Sequence, residues 1–125
     1  MKQTARDWLI VAEEDLLAAK TLAQDARLTN LASFHCQQCL EKCFKAIIEE
    51  NDIPPIKSHD LLRLQLHANI QLSDSETILL RILNEVYIDS RYPGDLGLLP
   101  HGKPTIPETE TFIHLCDTIF NRLQE

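Results

Sequence analysis

His35, Cys36, Cys39 and Cys43 place four potential soft-metal ligands on one short stretch. A zinc site needs such groups to converge on one tetrahedral point. On a helix they would be spread along more than two turns of the axis. Cys36, Cys39 and Cys43 would then share an apolar arc with Leu40, Phe44, Ile47 and Ile48, covering about half the circumference. Cysteine serves there as a small buried apolar residue, and no metal is assigned. The opposite arc carries His35, Gln38, Glu41, Lys42 and Lys45. Of these, His35, Gln38, Lys42 and Lys45 follow i, i+3, i+7, i+10 and form a ridge. An imidazole, an amide and two ammonium groups suit a phosphate or an acidic partner. The same pattern also describes a solvated face supported by salt bridges to Glu41 and Glu49, and periodicity alone favours that reading.

Further polar groups stand in short motifs. Ser58-His59-Asp60-Leu61 precedes an apolar run, and Arg91-Tyr92-Pro93 closes another. Pro93 disfavours helical geometry at Tyr92, and Arg91 there complements a helix C-terminus. In a functional reading, Arg91 joins Lys42 and His35 in a small cationic pocket for a phosphate. His101 falls in a loop, and His67 and His114 on exposed faces.

The elements that must position these residues are all helical. Helix one is predicted from about Thr4 to Ala26, with a seam of Ala5, Leu9, Ala12, Leu16, Ala19 and Ala23 and a Thr4–Asp7 capping box. Helix two follows Thr29-Asn30 as caps and runs to about Glu50. A short third helix starts at Ser58, with Asp60 in its first turn. Ser73 and Glu76 open a fourth, with Leu79, Ile82, Leu83 and Val86 inward. Thr105 and Glu108 open a fifth, with Phe112, Leu115, Cys116, Ile119, Phe120 and Leu123 inward. No stretch alternates as a strand does. All three glycines and four of the six prolines fall between positions 93 and 107, marking a segment longer than common connections.

The chain's 125 residues suffice for one domain, 1–125, with a real core. Its 44% hydrophobic content is that of a globular protein. No apolar run has the length of a membrane span and no signal segment stands at the start, so a cytoplasmic location is expected. The cysteine spacing argues against a disulfide framework. A net charge of −7 argues against broad nucleic-acid binding.

Phe34-His35-Cys36-Gln37-Gln38-Cys39-Leu40-Glu41-Lys42-Cys43-Phe44-Lys45-Ala46 resembles the second-helix signature of HEPN domains. His59-Asp60-Leu61 resembles that family's His-Asp-Leu element, and Arg91-Tyr92-Pro93 its corner after the fourth helix. Trp8, Ala12, Asp15-Leu16 and Ala19 resemble its opening helix. Together these cover nearly the whole chain in order. The resemblance implies an all-α bundle of about five helices, similar to the helical domain of kanamycin nucleotidyltransferase, and usually a homodimer. It further implies a nucleotide-binding partner of a minimal nucleotidyltransferase, in a two-component, toxin–antitoxin-like system. The residues that would bind a phosphate or nucleotide are His35, Gln38, Lys42, His59, Asp60, Arg91 and Tyr92. No cofactor and no catalytic residue is assigned. Charge reversal at Lys42 or Arg91 is predicted to weaken binding with little change in melting temperature.

Many relatives are ribonucleases marked by Arg, four to six residues, then His, a pair suited to phosphoryl chemistry. Here Arg91 and His101 have nine residues between them, Arg63 and His67 three, Arg27 and His35 seven. The motif is absent, which leans against an enzyme. The alternatives are a divergent ribonuclease toxin using His101 or His35, and a purely structural helical dimer joined through the seam of helix one.

Overall fold

A computed structural model describes residues 1–90 and 102–124, with backbone alone at 87–90. Five α-helices and one 3₁₀ turn (Ala26–Leu28) make up the fold, with no strand element among the described residues. The helices are α1 (Gln3–Leu22), α2 (Thr29–Glu50), α3 (Leu61–His67), α4 (Asp74–Ser90) and α5 (Ile106–Leu123). The second helix is the axis of the bundle, because it packs on all four others. Its inward arc of Cys36, Cys39, Leu40, Cys43, Phe44 and Ala46 is fully buried. The α1 seam, rich in alanine, lies against it; small side chains on both helices leave the backbones room to approach. This seam is therefore internal, and the expectation that it joins two subunits is corrected. What α1 turns outward is a different face, where Ile10 is 59% exposed.

Two capping boxes form as expected. Ser73 N–H donates to Glu76 Oε1 (2.9 Å) while Glu76 N–H donates to Ser73 Oγ (3.2 Å). Thr105 and Glu108 exchange the same pair at the start of α5. Three other starts differ from the sequence expectation. The first helix begins at Gln3, so Thr4 and Asp7 stand inside it and form no box. Asp7 instead accepts from the Gln3 amide (2.8 Å), and the Thr4 hydroxyl donates to Glu49 (3.5 Å). Thr29 is the first residue of α2, its hydroxyl donating to the Ala26 carbonyl (3.4 Å). Asp60 is the cap of α3, not a first-turn residue, and accepts from Leu62 N–H (3.0 Å) and Arg63 N–H (3.2 Å). The first helix also stops at Leu22, where Asp25 turns the chain by capping the 3₁₀ turn.

One inward stripe is rotated. Leu80, Leu83 and Val86 are fully buried in α4, whereas Ile82 is 39% exposed and Leu79 half-buried. The 3.6-residue period admits either stripe, and packing on α2 selects the one through Leu80.

Helices α2 and α3 both end in Schellman turns. Ile53 N–H reaches Ile48 O (3.0 Å) and Ile70 N–H reaches Gln65 O (3.2 Å). The residues that must turn left-handed are Asp52 (φ 54°) and Asn69 (φ 58°). Each is a residue type that tolerates this region better than other non-glycine residues. Asn69→Ala should destabilise the domain by about 1 kcal/mol, whereas Asn69→Gly should leave it unchanged or slightly stabler. Urea denaturation of the two variants checks this pair.

No described helix is long and apolar enough to cross a membrane. The segment predicted as a long Pro/Gly connection lies, up to His101, outside the described residues.

Candidate functional site

Two carboxylates organise the polar side of α2. Asp15 projects from α1 and is only 8% exposed. It sits between His35 and Lys42, which are two turns apart on the facing helix. His35 Nδ1 donates to Asp15 Oδ1 at 2.9 Å, and Lys42 Nζ donates to the other oxygen. Burial on its own would raise the Asp15 carboxyl, but the bonds from His35 and Lys42, with the Lys42 and His35 charges, outweigh it and hold the group below its ordinary value. The ridge that promised a free cation is thus, at Lys42, half of a buried ion pair.

Glu41, assigned by periodicity to the solvated arc, is only 4% exposed. That placement is corrected, and the cause is the connection from α2 to α3. The connection folds back so that His59 Nδ1 donates to Glu41 Oε1 (2.8 Å) and the His59 carbonyl accepts from Gln37 Nε2 (3.2 Å). Gln37 is itself fully buried, and Gln38 Nε2 donates to its Oε1 (2.6 Å). On the other side of Glu41, Lys45 Nζ lies 3.4 Å from Oε2 and 5.5 Å from the centre of the Trp8 ring. The expected Lys45–Glu41 pair is therefore present, while Glu49 is engaged by Thr4.

His35, Gln38, Lys42 and His59 come together along the α1–α2 and α2–α3 seams. Asp60 faces away from them: besides capping α3 it accepts from the Asn84 amide (3.3 Å), whose oxygen accepts from Leu61 N–H (3.0 Å). His59 and Asp60, adjacent in sequence, thus hold opposite sides of the same corner. Arg91, Tyr92 and His101 lie outside the described residues. Sequence reasoning missed Asp15, Gln37 and Glu41 as organising groups. One signal was available: Trp8, Ala12, Asp15 and Ala19 step by four, three and four, placing a carboxylate beside the apolar seam of α1.

The cysteines all face inward and are unpaired. Cys116 of α5 donates its thiol to the Cys36 carbonyl (3.4 Å), and burial, with the neighbouring Cys36 and Cys39 side chains, pushes its ionisation well up. His35 points to Asp15 instead of joining them. No group of three or more potential ligands is arranged to hold a metal ion among the described residues.

The arrangement is chemically a set of neutralised, desolvated ion pairs flanked by donors at its edge. His59, with its side chain 54% exposed, lies at the solvent edge of this set. The family model for the HEPN domain matches residues 5–125. The chain belongs to the HEPN domain family. In this HEPN domain the polar residues quoted for the family resemblance include the ones that tie α1, α2 and the α3 corner together. A likeness of fold extends to the crystal structure of TT1696 from Thermus thermophilus, with a TM-score of 0.79 and 24% identity over 98% of each chain. No curated protein matches the chain.

Proposed function

We propose that this HEPN domain acts in the cytoplasm as a homodimeric, nucleotide-binding module serving a minimal nucleotidyltransferase in a two-component, toxin–antitoxin-like system. The observation that carries the reading is family membership across residues 5–125. His35, Gln38, Lys42 and His59 would form the phosphate-facing edge, joined by Arg91 and Tyr92, with Asp60 fixing the corner that carries His59. In this reading the partner performs the transfer chemistry, and this chain supplies binding and assembly.

The outer face of α1 is the surface that best suits a second copy. A groove of about 520 Å³ lies beside Ile10 and Phe120, with Arg6 and Glu13 on either side of Ile10. Two copies related by a twofold axis near Ile10 would set Arg6 of each opposite the acidic turn of the other, which is self-complementary.

One co-expression experiment tests both parts. The chain and the nucleotidyltransferase encoded beside it should purify as one complex, with the chain itself dimeric by sedimentation. Ile10→Glu should yield monomers, and His59→Gln should weaken the complex or its nucleotide binding. Failure of the two proteins to associate, together with no nucleotide-induced rise in melting temperature, would sink the reading.

A further inference from the structure

The connection after α2 encloses a cavity that these assignments do not use. The Schellman turn at Asp52 reverses the chain, and Pro54-Pro55 fixes two successive φ angles. The segment that follows meets α1 and the last turns of α2 around a space of about 280 Å³. Its walls are largely apolar: Ile48 is buried, and Ile56 packs on the core with Pro55 beside it. Trp8 of α1 completes the enclosure, but the Lys45 ammonium stands 5.5 Å from the centre of its ring. This wall therefore offers a cation in place of a free aromatic face. Lys57 brings a second ammonium to the same space. It is exposed and has no carboxylate partner among the described residues. Glu49, the one acid on the lining, accepts from Thr4, which lines the neighbouring hollow and not this cavity.

We infer that this cavity binds a small aliphatic carboxylate, its hydrocarbon body against Ile48, Pro55 and Ile56 and its charge between Lys45 and Lys57. The inference does not depend on the nucleotide reading, whose residues lie along the His35–His59 edge. Small-molecule sites combine an apolar wall with a few convergent polar groups. Here the converging groups are two ammoniums, so the polar end of the ligand is an anion. On a chain of net charge −7 the general field repels anions, and a site for one must be built from particular cations. Lys57 is such a cation. Lys45 is steadied by Glu41 at 3.4 Å, a contact that leaves others of its three N–H donors for a ligand. The apolar walls select the body: removing hydrocarbon from water supplies affinity that a bare inorganic anion cannot gain. The volume lies at the lower edge of the range for ligand pockets, roughly 300 Å³, which suits a short chain and excludes a membrane lipid. Occupancy would also bear on the candidate site. Lys57 precedes the Ser58-His59 corner, and Lys45 shares Glu41 with His59. A carboxylate bridging the two lysines would tie that corner to α2.

Trp8 is the chain's one tryptophan, and the Lys45 ammonium beside its ring makes its emission a reporter of this cavity. The intact chain would be titrated with hexanoate, hexanol, acetate and inorganic phosphate, following Trp8 fluorescence and binding heat on the same samples. Hexanoate should change the emission saturably. Hexanol should bind at least about tenfold more weakly, for want of a charged hydrogen-bonded contact. Acetate and phosphate should be weaker by about a hundredfold, because they leave the apolar walls unfilled. Lys57→Glu should weaken hexanoate by at least about tenfold at an unchanged melting temperature, since the residue is exposed. Lys57→Arg should keep most of the affinity. Hexanol matching hexanoate would refute the anion, and phosphate matching it would refute the apolar body. Unchanged affinity in Lys57→Glu, or binding heat with a silent Trp8, would overturn the location. Tighter binding of acetyl-alanyl-leucine than of hexanoate would give the cavity to a peptide C-terminus and overturn the free acid. Absence of heat and of any emission change with hexanoate would overturn the site altogether, and would leave nucleotide binding at the His59 edge untouched.

Discussion

Asp15→Ala should destabilise the domain by about 3 kcal/mol, because it leaves Lys42 and His35 facing a seam without their anion. The carboxylate is nearly buried, and its partners are only 19% and 32% exposed at Lys42 and His35. Removing one member of such a cluster costs more than the cluster contributes when compared with an apolar replacement, since the stranded charges must be rehydrated in place. The loss has a pH signature. The folded-state Asp15 carboxyl lies below its ordinary value, so the native state binds this proton more weakly than the unfolded chain does. The contribution is complete above the unfolded value, about 3.9, and disappears as pH falls through the lower folded value. Acid titration of unfolding free energy should therefore show a steeper slope in the wild type than in Asp15→Ala, where Asp25 and Glu76 still contribute. Equal slopes in the two proteins would contradict the assignment.

Lys42→Glu should be at least as damaging, at about 3–5 kcal/mol. It replaces the cation of the pair with a second anion, next to a carboxylate whose side chain is only 11% exposed. Two carboxylates this close favour uptake of a proton, so the variant should recover stability as pH is lowered toward 5, opposite in sign to the Asp15 contribution in the wild type. This revises the expectation drawn from the sequence, where charge reversal at Lys42 was to weaken binding while sparing the fold. A binding defect in Lys42→Glu is uninformative about ligand contact unless folding is measured alongside. The double replacement Asp15→Leu with Lys42→Met removes both charges and should recover much of the loss. A double-mutant cycle by urea denaturation measures the coupling, and a coupling near zero would refute the pair.

What was legible in the sequence was whatever depends on local spacing. The apolar arc of α2, the alanine seam of α1, and the boxes at Ser73 and Thr105 each require only residues within a few turns of one another. The rest depended on distant partners. Lys42 meets Asp15 from 27 positions away, and Glu41 meets His59 from 18. A helical wheel places Glu41 on the polar arc because a carboxylate is polar; it cannot register that the α3 corner arrives to cover it. The cap errors have the same origin. Thr4 and Thr29 carry good capping side chains, but the helices extend past them, as a cap donates only about 1 kcal/mol of preference against tertiary packing. The chemistry ridge was thus visible as a set of residues and hidden as a set of pairs.

The inward-facing thiols described above make the chain its own reporter of opening. Cys36, Cys39 and Cys43 on α2 and Cys116 on α5 have no exposed surface. A thiol-modifying reagent meets any of them only after helices separate. Labelling of Cys116 with the α2 thiols it touches, ahead of Cys43, would signal lifting of α5, and simultaneous labelling of all four would signal melting of the whole bundle. The free energies of these openings can be read from labelling rates at increasing denaturant. No tag, label or engineered residue is needed for that measurement. It also means that an oxidant which leaves the folded domain untouched will trap whatever fraction has opened, so thermal unfolding in air should be less reversible than unfolding under a reductant.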